Sequence, residues 1–415
     1  MLRLNPHMSD PKRRVPISPD LLSELQTQPE VLAIARRNDR LNIGVPREVT
    51  LHENRVALVP SSIRTLTSHG HRIVVESDAG LRSQFSDHDF SESGAEIVHS
   101  PEQVYKSDVI IKVAPPTLDE LELMRPNQVL ISPLQLPLLT TEFVLRLKAK
   151  RVIALAMEYI QDESGSYPIV RTMSELAGMS AILIASELLS SARGGKGVLL
   201  GGISGVPPAR VVILGAGVVA ENAVRAALGL GAEVRVFDDN IYKLKRLRNE
   251  VGQSIYTSVL NPVYLEEELR CADVVIGAIH SEQGRTPMVV SEPMVEKMAA
   301  GSVIIDISID QGGCFATSEV TTLNKPTFKK YDVIHYCVPN VASRVSRTAS
   351  VAVSNILTPL LLKAGSTGSI EHVLFSDMGL RHGVYTYKGC LTNHYLSERF
   401  GQKYTDLSLL ITSDM

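Results

Sequence analysis

From Asn42 onward, short apolar runs alternate with stretches of helical periodicity. The first half carries Ile43–Val45, Ile73–Val75, Val109–Val113, Val129–Ile131 and Val152–Ala156. The second carries Val211–Leu214, Val234–Phe237, Val274–Ala278, Val303–Ile307 and Val333–His335. These runs need no polar alternation if helices cover both faces of a sheet, so they predict buried parallel strands. Between them, Ala220–Leu230 and Pro293–Ala299 read as helices. Longer helices are expected over Ser174–Ser190 and Val351–Leu362. Two successive sets of βα units predict an α/β chain with two doubly wound, Rossmann-like domains. No fixed-period repeat is present, which argues against a solenoid.

Before Asn42, four prolines (Pro6, Pro11, Pro16 and Pro19) interrupt regular structure. Leu21–Ala35 then reads either as one helix packed on the body or as a partly ordered arm. A boundary between the two sets of units is expected near Tyr167–Thr172, and a glycine-rich loop, Gly194–Gly205, precedes the second.

Composition narrows the function. The formal net charge is -3 and the only basic run is Lys12-Arg13-Arg14, which excludes a nucleic-acid grip. Tryptophan is absent, against a base-stacking platform. No apolar run reaches eighteen residues, so no spanning helix is expected. Met1–Val15 lacks the apolar core of a secretory signal. Cys271, Cys314, Cys337 and Cys390 form no C-x-x-C pair, so no metal site is expected. Free thiols in a cytoplasmic protein fit this spacing.

The sharpest local signal is Val211-Val212-Ile213-Leu214 running into Gly215-Ala216-Gly217-Val218-Val219-Ala220. This G-x-G-x-x-A lies between a strand and a helix. Gly215 permits the tight turn, Gly217 leaves room for a pyrophosphate, and Ala220 lets the helix pack on the strand. The helix N-terminus then offers unpaired N–H groups to the phosphates. A second strand ends in Asp238, 21 residues beyond Gly217, where a carboxylate can accept both ribose hydroxyls. That acid repels a 2′-phosphate and favours NAD, while Asp239 and Arg235 leave NADP open.

At these residues the chain resembles the alanine dehydrogenase family, related to the NAD(H)-binding part of nicotinamide nucleotide transhydrogenase. The markers run in order from about Asn42 to Tyr395. They are Gly44-Val45-Pro46-Arg47-Glu48, Glu53-Asn54-Arg55-Val56-Ala57, Met173-Ser174-Glu175-Leu176-Ala177-Gly178 and Gly194-Gly195-Lys196-Gly197. Asp306 to Phe315 (DISIDQGGCF) and Tyr336-Cys337-Val338-Pro339-Asn340 follow. The resemblance implies oxidative deamination of L-alanine to pyruvate and ammonia, with hydride passed to NAD. It implies a homo-oligomer, often a hexamer, acting on a small amino acid or 2-oxo acid. It implies, after the arm over 1–40, a discontinuous substrate domain over 41–168 plus 347–415 and an NAD domain over 169–346.

By the same resemblance, Arg55 binds the substrate carboxylate, a role its planar fork suits. Asp310 sits near the nicotinamide and handles water or ammonia. Val338 and Asn340 face the nicotinamide ribose and amide, Ser174 the phosphates, and Lys243 the adenosine side. Ile279 and His280 border the cofactor, as do Ile307, Ser308 and Ile309. For His280 and His335 a structural role competes with a chemical one.

Two family positions are changed. The lysine of the family's L-K-V-K-E-P strand is Ala114 here, in Ile111-Lys112-Val113-Ala114. The family's acid/base histidine is Gln135, which hydrogen-bonds but does not titrate. Losing one acid–base group typically costs roughly 10²–10⁴-fold in rate. Lys112 lies two residues before Ala114 on the same strand face, about 6.6 Å away, and a flexible ammonium spans much of that gap. His52 offers a further acid/base from the Arg55 loop. The alternative function is an NAD(H)-binding protein without deamination, or a transhydrogenase-like one.

Overall fold

The computed structural model describes residues 40–135, 139–281 and 284–413. The expected helix at Leu21–Ala35 lies outside them.

Six strands open the fold: β1 (Asn42–Val45), β2 (Arg72–Glu76), β3 (Glu96–Val98), β4 (Val109–Ile111), β5 (Val129–Ser132) and β6 (Ile153–Ala156). Seven build a second sheet: β7 (Arg210–Leu214), β8 (Glu233–Phe237), β9 (Tyr256–Ser258), β10 (Val274–Gly277), β11 (Val303–Asp306), β12 (Thr327–Lys330) and β13 (Val333–Tyr336). The chain then returns to the first sheet as β14 (Val384–Tyr387) and β15 (Cys390–Leu391). The orders are β15-β14-β6-β5-β4-β1-β2-β3 and β12-β13-β11-β10-β7-β8-β9. The pairings β1–β2, β1–β4, β4–β5 and β5–β6 are parallel, and so are β7–β8, β7–β10, β10–β11 and β11–β13. The fold is therefore two parallel-dominated α/β sheets. The five strands that the sequence does not announce, β3, β9, β12, β14 and β15, lie toward the sheet edges, where strands are short and half polar.

Strand order reverses twice. In the first sheet the switch lies between β1 and β4, and in the second between β7 and β10. Crevices form outside the carboxyl ends of strands at such points. The candidate residues cluster at both.

Helix Pro168–Leu188 starts six residues ahead of Ser174 because Pro168 occupies its first turn, where a missing N–H costs nothing. A Cβ on Gly178 would lie 2.3 Å from the Val219 carbonyl oxygen, so only glycine lets this helix touch Val218–Gly229. The last long helix, Ser346–Thr367, is fastened by hydroxyls. Ser350 accepts the Val56 N–H at 2.9 Å and Ser354 the Val59 N–H at 3.0 Å. Pro168–Leu188 and Val341–Thr367 are long and apolar enough to cross a membrane by length and composition alone, a test that core helices also pass. Both bury part of their surface within the protein.

Among the described residues, His71 and His335 are buried. His335 on β13 has its Nδ1 3.0 Å from the Val333 carbonyl and its Nε2 2.8 Å from the Thr317 hydroxyl, and it stacks on Phe328. His71 lies against Gly365, where a Cβ would come within 2.0 Å of the ring. Burial holds both imidazoles below the ordinary histidine range. The unfolded chain therefore takes up protons first as pH falls through about 6.5. Thermal unfolding followed by circular dichroism should show the melting temperature falling between pH 7.5 and 6.0. His335→Gln should flatten that slope; an unchanged slope would count against the assignment.

Candidate functional site

The chain leaves β1 through Pro46-Arg47-Glu48 and loops to Arg55, which is 8% exposed. Its Nε and Nη2 grip the two oxygens of Glu53 at 2.7 and 2.6 Å. Nη2 also reaches the Val113 carbonyl at 3.4 Å, and Nη1 touches the Met173 sulfur at 3.3 Å. Burial works against this charge, but Glu53 outweighs it and the guanidinium stays protonated. One fork of Arg55 is thus taken. Nη1, with only a thioether partner, keeps donor capacity for a carboxylate.

Glu53 also binds across to the second sheet. Its Oε2 accepts the Asn340 amide at 2.9 Å. The backbone N–H of Asn340, a residue at φ 54°, donates to Asp310 Oδ1 at 3.1 Å. Ser343 strengthens the join: its hydroxyl donates to the His52 carbonyl at 2.7 Å and accepts the Asn54 N–H at 2.9 Å. Arg55 and Asn340 thus meet on the Glu53 carboxylate, and Asp310 joins them through the Asn340 backbone N–H. Asp310 is exposed to solvent. Desolvation raises its carboxyl, opposed by the Asn340 N–H and Arg55.

Below Asp310, Asp306 anchors the turn. It accepts the Ser318 hydroxyl at 2.6 Å and the Cys314 N–H at 3.1 Å. Gln311 ties the turn to the next loop by accepting the Ser281 N–H at 3.0 Å and donating to the Ser281 carbonyl at 2.9 Å.

The glycine turn follows β7. Gly215 has φ +111°, and a Cβ there would strike the Ala278 carbonyl at 2.4 Å. A Cβ on Gly217 would meet nothing within 4 Å. Gly217 caps helix Val218–Gly229 without a side-chain bond, so first-turn N–H groups face that open space. Ala220 is fully buried. Asp238 accepts Ala216 N–H at 2.7 Å and Asn240 N–H at 2.8 Å, which leaves lone pairs for hydroxyls. These residues fit a dinucleotide. Ile279 and His280 follow β10, Ile307, Ser308 and Ile309 follow β11, and Val338 follows β13, all along this same edge. Ser308 donates to the Ile279 carbonyl at 2.8 Å. Ser174 is half-buried on helix Pro168–Leu188, and Lys243 is exposed on helix Ile241–Val251.

Lys112 has no accessible surface. Its ammonium lies 2.9 Å from Glu48 and 2.8 Å from Glu120, and Tyr105 donates to Glu120 at 3.2 Å. Burial works against the charge, but the two carboxylates hold it above the ordinary lysine range. The reach toward the substrate expected of Lys112 is thus replaced by a structural ion pair. Ala114 is also fully buried. Gln135 stands at φ 45°, next to Glu158.

Sequence reasoning gave no role to Glu53, Gln311, Ser343 or Glu158. An opposite charge two residues before Arg55 was the available signal for Glu53. The other three act through contacts distant in sequence.

These features suit a dinucleotide-binding enzyme, and similarity to known proteins puts the chain among the NAD-dependent amino-acid dehydrogenases. The family models alanine dehydrogenase/PNT, N-terminal domain and C-terminal domain match residues 44–177 and 181–394. Alanine dehydrogenase 2 of Staphylococcus aureus (strain USA300) is 39% identical over 365 residues, covering 88% of this chain and 98% of that protein. A solved L-alanine dehydrogenase superposes with a TM-score of 0.81 at 35% identity, over 86% of this chain and 99% of that one. A transhydrogenase from Sinorhizobium meliloti shares the fold, with a TM-score of 0.72 at 23% identity over 85% and 99% of the two chains. The chain belongs to the alanine dehydrogenase/PNT family.

Proposed function

We propose that this protein oxidatively deaminates L-alanine to pyruvate and ammonia, using NAD. The supporting observation is the convergence of Arg55, Asn340 and Asp310 on the carboxyl edges of both sheets. Nη1 of Arg55 holds the substrate carboxylate. Asp310, deprotonated, orients the water that replaces nitrogen at the α-carbon. Gln135 hydrogen-bonds the substrate without exchanging a proton. NAD, when bound along Gly215, Gly217 and Asp238, accepts the hydride. Ser174, Lys243, Ile279, His280, Ile307, Ser308, Ile309 and Val338 complete its lining.

The two sheets form the two domains, 41–168 plus 347–415 and 169–346. The protein works in the cytoplasm as a homo-oligomer, a hexamer by family likeness. Exposed Val170, Met179 and Leu183 on one long helix give such an assembly an apolar face.

The test is NADH absorbance with L-alanine and a panel of L-amino acids, beside calorimetry with NAD and NADH. Activity should rise at alkaline pH, because hydride leaves only from the deprotonated amine. NAD binding without turnover on any amino acid would establish a nucleotide-binding protein instead. The buried Ala114 and the ion-paired Lys112 are the observations that favour that second reading.

A further inference from the structure

We propose that Glu158 is a positioning residue of the substrate pocket, clamping the backbone of Leu134 and Gln135 so that the Gln135 side chain is held at the substrate. Glu158 lies in the turn Met157–Tyr159 after β6, and Gln135 follows the neighbouring strand β5. Its Oε1 accepts the Leu134 N–H at 2.7 Å and the Gln135 N–H at 3.4 Å. Gln135 sits at φ 45°, a region that L side chains enter only where their surroundings impose it. The Glu158 carboxylate holds the N–H groups of Leu134 and Gln135 at this turn. Its other oxygen, Oε2, is shielded from solvent and has no hydrogen-bond partner, and the same holds for the Tyr385 hydroxyl on β14. A buried carboxylate with half its acceptor capacity unused is costly, and such groups persist where they serve a site. This inference rests on the dehydrogenase reading, which puts Gln135 at the substrate.

The clamp responds to pH. Burial raises the Glu158 carboxyl, opposed only by backbone N–H groups of Glu158, Leu134 and Gln135. The titratable groups around it are phenols: Tyr385, the adjacent Tyr159, and near Tyr159 also Tyr395 and Tyr167. A protonated carboxyl accepts hydrogen bonds more weakly than a carboxylate. As pH falls through the raised value the turn loosens, and KM for the amino acid rises.

The experiment compares wild type, Glu158→Gln and Glu158→Ala across pH 6 to 10. The amide of Glu158→Gln accepts the same N–H groups at every pH, so its KM should rise less steeply on the acid side than the wild type's, keeping only the part set by protonation of the substrate amine, while kcat is kept. Glu158→Ala should raise KM roughly tenfold or more throughout. It should also lower hydrogen-exchange protection of the Leu134 and Gln135 amides, which Glu158→Gln retains. Unchanged NADH affinity shows that both variants fold. A Glu158→Gln profile that superimposes on wild type, or unaltered protection in Glu158→Ala, overturns the proposal. If the Ala variant does not fold, the Gln profile decides alone. Wild type without turnover on any amino acid overturns the parent reading, and with it the role at the substrate. Turnover with an unmoved profile overturns the clamp alone.

Discussion

Replacing Arg55 by Met should reduce kcat/KM for the amino acid by roughly 10²–10³-fold. Truncating one partner of a buried, hydrogen-bonded charge pair costs about 2–5 kcal/mol, and each 1.4 kcal/mol is tenfold. The substrate carboxylate loses its cation, and Glu53 loses its own. Glu53 is only 2% exposed, so the single variant strands an uncompensated carboxylate. That should destabilise the fold by about 3–5 kcal/mol. The double variant Glu53→Gln, Arg55→Met removes both charges and should recover much of that loss, but none of the activity. Urea unfolding of the four members of this cycle separates the two effects. Full stability in Arg55→Met alone would refute the buried pair. Unreduced kcat/KM would refute the carboxylate role.

Asp310→Asn should lower kcat by roughly 10²–10⁴-fold, the range for loss of a positioned acid–base group. The amide is isosteric, and its oxygen can still accept the Asn340 N–H, so the loop should hold and NADH should bind as before. The carboxyl of Asp310 is raised by desolvation, and its working form is the carboxylate. Activity of the wild type should therefore decline on the acid side as that group takes a proton, above the ordinary aspartate range. The kcat profile of whatever residual rate Asp310→Asn retains should lack the part of that limb due to Asp310. A variant with near-native kcat, or one with the limb intact, would remove Asp310 from the chemistry.

Much of the architecture was legible in the sequence because buried parallel strands leave uninterrupted apolar runs. Val211–Leu214 and Val274–Ala278 mark central strands within one residue of β7 and β10. Edge strands such as Glu96–Val98 carry no such run, since one side meets solvent. The glycine turn was legible because its conformations are tied to residue type: Gly215 at φ +111° leaves little choice. Side-chain partnerships were not. Strand parity put Lys112 on the same face as Ala114, but parity says nothing about which neighbours neutralise a charge. Glu48 and Glu120 come from other segments and take the ammonium inward. Glu53 illustrates the same limit, because its partner Asn340 lies 287 residues away in sequence.

A carboxylate shared by the Arg55 guanidinium and the Asn340 amide would, on the proposed reading, make the affinities for the two reactants interdependent. Whatever displaces Asn340 relaxes the grip on Arg55, so a drift in nucleotide preference at that loop carries amino-acid selectivity with it.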